Sequence, residues 1–136
     1  MFRNIALVCS DCPTARVFYN YFPEIRTVVM ERPQSRKSLI RGRIKRLGLA
    51  RVTGQLAFQS LIPPLLRRLS RARIQQLQQQ YALNCDSIPE QKLHRLDSVN
   101  LPECGKTLAA HQPDLILVHG TRIISAATLA QVNCPW

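Results

Sequence analysis

The feature that most limits how this chain can fold is a pair of apolar runs in which apolar and polar residues do not alternate. The first run is NIALVCS at residues 4–10, and the second is LILV at residues 115–118. A strand with one solvated face alternates apolar and polar side chains, whereas a strand buried on both faces is continuously apolar. The two runs therefore predict strands of a sheet that is covered on both sides.

The segment after the first run predicts a helix and a second strand. Ser10 or Asp11 is a candidate N-cap, and Pro13 suits the first helical turn. The apolar side of this helix is formed by Val17, Phe18, Tyr21 and Phe22. Residues 25–32, IRTVVMER, are rich in β-branched side chains and predict a strand. A strand, a helix and a strand within about 30 residues make a βαβ unit with parallel strands.

A second unit of the same kind occupies the last third of the chain. A short strand is expected at about 93–96, a helix at 102–111 and the apolar strand at 115–118, followed by a turn and a short helix. This order predicts an α/β fold with a Rossmann-like, doubly wound, mostly parallel sheet. Ligands of such folds bind beyond the carboxyl ends of the strands, which here are residues 9–13 and 119–124.

Positive charge is concentrated between the two units. The chain carries 19 lysines and arginines against 8 acidic residues, a net charge of +11. Twelve of the basic residues and none of the acidic ones lie from Arg32 to Arg73, which leaves a net charge of −1 for the rest. We interpret residues 33–85 as a basic helical insert within a single domain. Its helices are predicted at 36–51 and 65–82, with a break at Pro63 and Pro64.

The second helix of the insert carries a predicted apolar stripe, formed by Leu66, Leu69, Ile74, Leu77 and Tyr81. Two interpretations of the insert stay open. Its helices could pack on the sheet and expose a solvated basic face, or its arginines could bind the phosphates of nucleic acid or of an anionic membrane surface. No aromatic residues are interleaved with the arginines, which disfavours a reader of single-stranded RNA.

Several common kinds of site are disfavoured by the residues at the strand ends. The turn SDCPT contains no glycine, so a dinucleotide pyrophosphate cannot approach its backbone closely. Cys9 and Cys12 have CxxC spacing, but Cys9 belongs to the strand and no second such pair follows, so neither redox chemistry nor a metal site is predicted. His119 follows a strand directly and is a candidate ligand contact. Without an export signal or a membrane span, we expect a cytoplasmic protein with five reduced cysteines.

One stretch, PDLILVHGTRIIS at residues 113–125, places an arginine in an otherwise apolar sequence just after a glycine. Together with RNIALVCSD near the start and SVN at 98–100, it resembles the 10-formyltetrahydrofolate-dependent formyltransferases. In that family a strand reads roughly Pro-Asp-apolar-apolar-apolar, followed by Gly-x-x-Ile-Leu. The order of elements agrees over the whole chain, and GTRII, SVN and the long insert are most similar to the branch that formylates sugar amines.

The resemblance implies one-carbon group transfer from 10-formyltetrahydrofolate to an amine, either of a nucleotide-linked amino sugar in surface polysaccharide synthesis or of methionyl-tRNA. It implies a cofactor-binding segment of Gly120, Thr121, Arg122, Ile123 and Ile124. Gly120 would turn the chain closely, the isoleucines would form apolar walls, and the backbone of Arg122 and Ile124 would face the pterin ring. The Arg122 guanidinium would point into the crevice or towards a carboxylate. The alternative is an ordinary connection from strand to helix with Arg122 exposed.

The catalytic asparagine, histidine and aspartate of the family would follow VNCPW at residues 132–136. The resemblance therefore implies an amino-terminal part of the enzyme, with no catalytic residue, an incomplete sheet, no activity alone and a tendency to aggregate through the strand at 115–118. CSDCPT replaces the glycine-rich phosphate loop of the purine-pathway members, which disfavours glycinamide ribonucleotide as the acceptor. The competing functional class is a non-catalytic α/β module whose insert binds nucleic acid or an anionic membrane.

Overall fold

The computed structural model describes residues 2–33 and 36–135. These residues form two compact units: the sheet unit, from the described residues of 1–33 and 84–136, and the helical unit, from those of 34–83. In chain order the elements are β1 (Ile5–Ser10), α1 (Pro13–Tyr21), β2 (Ile25–Glu31), α2 (Arg36–Leu47), α3 (Leu49–Gln80), a 3-10 helix (Glu90–Lys92), β3 (Leu93–Leu96), α4 (Pro102–His111), β4 (Leu115–His119) and α5 (Ala126–Leu129).

The sheet unit contains four strands, all parallel, in the order β3-β2-β1-β4. The predicted α/β class with a Rossmann-like parallel sheet is confirmed. The chain passes from β1 to β2 and β3 on one side, and β4 then pairs with β1 on the other side. The order of strands thus reverses between β1 and β4, and a ligand crevice is expected at that point in an open α/β sheet.

The two faces of β1 belong to two separate core clusters, as its continuously apolar sequence requires. Ile5, Leu7 and Cys9 pack with Phe18 of α1 and with Phe22, which follows that helix, in the first cluster. On the other face, the second cluster joins β1 to α4. It comprises Ala6, Val8, Val29, Val99, Cys104, Leu108, Ile116 and Val132. Because successive strand residues point to opposite faces, a strand that supplies both clusters shows no polar alternation.

The start of α1 differs from the expectation. Cys12 occupies the N-cap position and no side chain caps the helix, so the prediction of Ser10 or Asp11 as the cap is wrong. Ser10 is instead the last residue of β1, in register with Glu31 of β2. Asp11 forms an exposed ion pair with Arg16 at 3.2 Å.

The helical unit differs from the prediction at its break point. Pro63 and Pro64 lie inside α3, and the chain breaks at Gly48, whose φ is +79°. A proline inside a helix removes an amide donor, and its ring clashes with the carbonyl four residues earlier, yet α3 continues through both prolines. A φ of +79° is outside the helical region and is readily adopted by glycine.

The apolar stripe predicted on the second helix of the insert does not form a buried face. Leu66, Leu69, Ile74 and Tyr81 are exposed, and only Leu77 is half-buried. Helical spacing placed the three leucines and Ile74 correctly on α3, which ends just before Tyr81, but spacing alone does not supply the surface that would cover them.

Candidate functional site

The carboxyl ends of three strands lie level with one another at the point where the strand order reverses. Ser10 is in register with Glu31, and Cys9 is in register with His119, so the chain leaves β4 beside the end of β1. Gly120 follows with a φ of +69°. A Cβ atom at this position would lie 2.9 Å from the Ser10 Oγ atom. The turn therefore depends on glycine both for its backbone angle and for the close approach of Ser10.

A buried carboxylate fixes the segment that follows Gly120. The Glu31 side chain is 5% exposed, and its Oε1 atom lies 3.0 Å from Nε of Arg122. The Arg122 amide donates to Oε2 at 3.0 Å, and the Val99 amide donates to Oε1 at 3.1 Å. One carboxylate at the end of β2 thus binds the backbone before α4 and both the backbone and the side chain after β4.

The Arg122 guanidinium contacts Asp97 as well as Glu31. Its Nη2 atom donates to the Asp97 carbonyl at 2.8 Å, and the Asp97 carboxylate in turn pairs with Arg32 at 3.1 Å. Of the two orientations that the sequence left open, the structure has the one towards a carboxylate. The amide of Arg122, expected to face a ligand, donates to Glu31 instead.

Asn100 holds the next part of the same segment. Its Nδ2 atom donates to the Ile123 carbonyl at 3.0 Å, and its Oδ1 atom accepts from the Ser125 amide at 2.7 Å. The Ser125 side chain then caps α5 by accepting from the Thr128 amide at 3.2 Å. Residues 120–125, which we call the β4 loop, are therefore held at one end by Glu31 and at the other by Asn100.

The remaining predicted residues of the β4 loop occupy different environments. Thr121 is half-buried and its hydroxyl donates to the Arg122 carbonyl at 3.0 Å. The Ile123 side chain is 93% exposed, whereas Ile124 packs against the second core cluster. Of the two isoleucines, only Ile123 thus has a side chain that is exposed and could contact a ligand. The Ile124 backbone makes no hydrogen bond with the residues that the structure describes.

The histidines lie in two separate places. His119 is half-buried, and its ring centroid lies 5.2 Å from that of Phe18 in α1. His94 and His111 approach each other with 3.2 Å between their Nε2 atoms. Burial, followed by the nearby His111, lowers the pKa of His94.

The cysteines of the described chain are free thiols. Burial, with smaller effects from Cys12 and Asp11, raises the pKa of Cys9 to about 12. Burial, followed by Glu31, raises the pKa of Cys104 to about 11. Among the residues that the structure describes, no group of three or more potential ligands could hold a metal ion.

These pKa values predict selective alkylation. At about pH 8, iodoacetamide is expected to modify buried Cys9 and Cys104 more slowly than half-buried Cys12, because the raised pKa values of Cys9 and Cys104 leave little of the reactive thiolate and burial shields their sulfur atoms. Peptide mass spectrometry measures the three rates. Unfolding in urea is the control and should make them similar. Equal rates for Cys9 and Cys12 in the folded chain would contradict the assignment.

The roles of Glu31, Asp97 and Asn100 were not predicted from the sequence. A signal existed for Glu31, because an acidic residue ends a strongly apolar strand and Arg122 stands alone among apolar residues. Asn100 belongs to the SVN stretch that contributed to the family resemblance, but nothing in its local pattern indicates that its side chain spans to Ile123 and Ser125.

Comparison of the chain with models of protein families, with curated proteins and with solved structures finds no match. In the described part of the chain, no helix combines the length and the apolar character needed to cross a membrane.

Proposed function

We propose that these residues form the donor-binding part of an N-formyltransferase, which moves a formyl group from 10-formyltetrahydrofolate to an amine. The observation that carries the proposal is the β4 loop. It lies at the reversal of strand order and is held by Glu31 and Asn100, while it leaves the Ile123 side chain and the Ile124 backbone available. The Ile123 side chain and the Ile124 backbone agree with what the family resemblance of PDLILVHGTRIIS implies for a pterin site, whereas the Arg122 amide and the Ile124 side chain have partners within the chain.

A flat heterocycle with donors and acceptors on its edge is suited to such a loop. A backbone N–H and C=O can hydrogen-bond the edge of the ring, and an exposed isoleucine can cover part of one face. Because the loop is already ordered by two side chains from elsewhere in the sheet unit, binding requires little further loss of conformational freedom. In this proposal Ile124 supplies the polar contact and Ile123 the apolar one, and Arg122 keeps the loop in position.

The transfer itself places requirements on residues near the donor. The amine nitrogen attacks the formyl carbon, the bond from that carbon to the folate nitrogen breaks, and the proton lost by the amine ends on the folate nitrogen. A developing oxyanion needs hydrogen-bond donors, and the proton needs a carrier. Asn100 is engaged by the β4 loop and His119 packs against Phe18. We therefore assign no catalytic role within the described residues.

The acceptor in this proposal is the amine of a nucleotide-linked sugar, with methionyl-tRNA as the second choice. The turn after β1 carries Cys12 at the N-cap and Pro13 in the first helical turn, so it lacks the glycine-rich backbone that holds a phosphate closely. Glycinamide ribonucleotide is accordingly disfavoured.

Isothermal titration with a stable analogue of 10-formyltetrahydrofolate tests the proposal. Ile123→Ala is expected to weaken binding by about 1–2 kcal/mol through loss of apolar contact, with no loss of stability because the side chain is exposed. Leu129→Ala removes a partly exposed aliphatic side chain outside the β4 loop and is the matched control. No detectable binding by the unmodified chain, or equal affinities for both variants, would refute the proposed site.

A further inference from the structure

One side of α3 exposes a row of large apolar residues. Phe58, Leu61, Leu65 and Leu69 are separated by three, four and four positions, so they lie along the same side of the helix. Their exposures are 60%, 68%, 52% and 71%. We call these four residues the α3 stripe. It is distinct from the stripe predicted from sequence, with which it shares only Leu69.

Arginines border this stripe. At 100° per residue, Arg68 and Arg73 fall on opposite flanks of the α3 stripe, and Arg67 and Arg71 fall further round the helix. All four are exposed. No acidic residue occurs between Glu31 and Asp86, so the helical unit contains no carboxylate that could neutralise them. Pro63 and Pro64 also lie away from the stripe, which is therefore uninterrupted.

We propose that the α3 stripe and its flanking arginines dock on an anionic lipid surface, with the helix lying in the interface. Such helices bury apolar side chains at the boundary of headgroups and acyl chains while lysines and arginines reach the lipid phosphates. Each basic residue near an anionic leaflet adds to the attraction. The stripe and the arginines thus both find partners on one surface.

A nucleic acid or a second copy of the chain would contact favourably only part of this surface. A nucleic acid would pair with the arginines but leave Leu61, Leu65 and Leu69 in water, and Phe58 alone is no stacking platform. A second copy of the chain would cover the leucines but bring together two segments that each carry twelve basic residues and no acidic residue. An anionic membrane accommodates both the apolar and the charged groups. This inference does not depend on the proposed formyltransferase function.

Sedimentation of the 136-residue chain with lipid vesicles tests the proposal. We expect it to pellet with vesicles of equal parts phosphatidylcholine and phosphatidylserine but not with phosphatidylcholine alone, and to be released as salt rises. Leu65→Ser with Leu69→Ser should weaken binding about 10-fold or more. Arg68→Gln with Arg73→Gln should weaken it about 10-fold as well.

Matched controls come from the sheet unit. Tyr21→Ser removes an exposed apolar residue and Lys106→Gln removes an exposed charge, and neither should change vesicle binding. Far-ultraviolet circular dichroism verifies that each variant retains its helices, as the exposure of the substituted residues predicts.

Four outcomes would overturn the proposal. The first is failure to bind the phosphatidylserine vesicles, and the second is vesicle binding that the leucine substitutions leave unchanged. The third is tighter binding to a duplex oligonucleotide, unaltered by those substitutions, which would assign the surface to nucleic acid. The fourth is a dimer in sedimentation equilibrium that the leucine substitutions dissociate, which would assign the surface to a second copy.

Discussion

Glu31→Ala is expected to destabilise the sheet unit by about 2–4 kcal/mol, somewhat below the ~3–5 kcal/mol typical of breaking a buried ion pair, because Arg122 is partly exposed. The side chains of Glu31 and Arg122 are 5% and 33% exposed. The substitution also removes the acceptor for the amides of Val99 and Arg122. Urea unfolding followed by circular dichroism measures the change, and titration with the folate analogue should show a loss of binding as the β4 loop loosens.

Two further variants test how much of this effect comes from the buried charge of Glu31. Glu31→Gln retains an acceptor of nearly the same shape and should cost less than the alanine variant, because one of the two amide bonds can persist. Arg32→Ala breaks the ion pair with Asp97, in which the Arg32 side chain is 63% exposed and the Asp97 side chain 74% exposed. Because both side chains are exposed, the free energy of unfolding should change by no more than about 1 kcal/mol. If Glu31→Ala proved as mild as Arg32→Ala, the carboxylate would not hold the β4 loop.

Gly120→Val is expected to destabilise the sheet unit by about 2–3 kcal/mol and to abolish binding of the folate analogue. A left-handed backbone costs a side chain with a Cβ atom about 1–2 kcal/mol, and β-branching adds to this. The new Cβ would also lie 2.9 Å from the Ser10 Oγ atom. Either the Ser10 hydroxyl must rotate away or the loop must move from β1, and the strained backbone also favours a movement of the loop that would displace the groups proposed to contact the ligand. Urea unfolding and titration calorimetry measure the two effects.

The two parts of this effect can be separated with matched glycines. Gly48 has a similar φ of +79°, but a Cβ there meets nothing within 4 Å. Gly48→Ala should therefore show a backbone cost without a steric one, whereas Gly120→Ala should show a backbone cost of its own together with the contact with Ser10. Adding Ser10→Ala to Gly120→Ala should recover part of the difference. No recovery of stability in the Ser10→Ala, Gly120→Ala double variant would show that the approach of Ser10 is unimportant.

Local patterns in the sequence predicted most elements of the sheet unit. The continuous apolar runs at β1 and β4, the β-branched run at β2 and the segment 93–96 all form strands, and α4 spans the predicted residues 102–111. These predictions succeed because burial on both faces is visible in a few neighbouring residues. Two predictions from local pattern failed. Ser10 pairs in register with Glu31 of β2 and does not cap α1, and Gly48 rather than the two prolines divides the insert.

The sequence by itself determined the class of fold, the segregation of positive charge and the strand ends at which a ligand site was expected. The tertiary structure alone decided what holds that site together. Glu31 and Arg122 are 91 positions apart, and Asn100 and Ile123 are 23 apart. Such partners meet because parallel strands bring their carboxyl ends to one edge of the sheet, with β4 placed against β1 rather than β3. Periodicity and propensity act over a few residues, and they carry no information about which strands become neighbours.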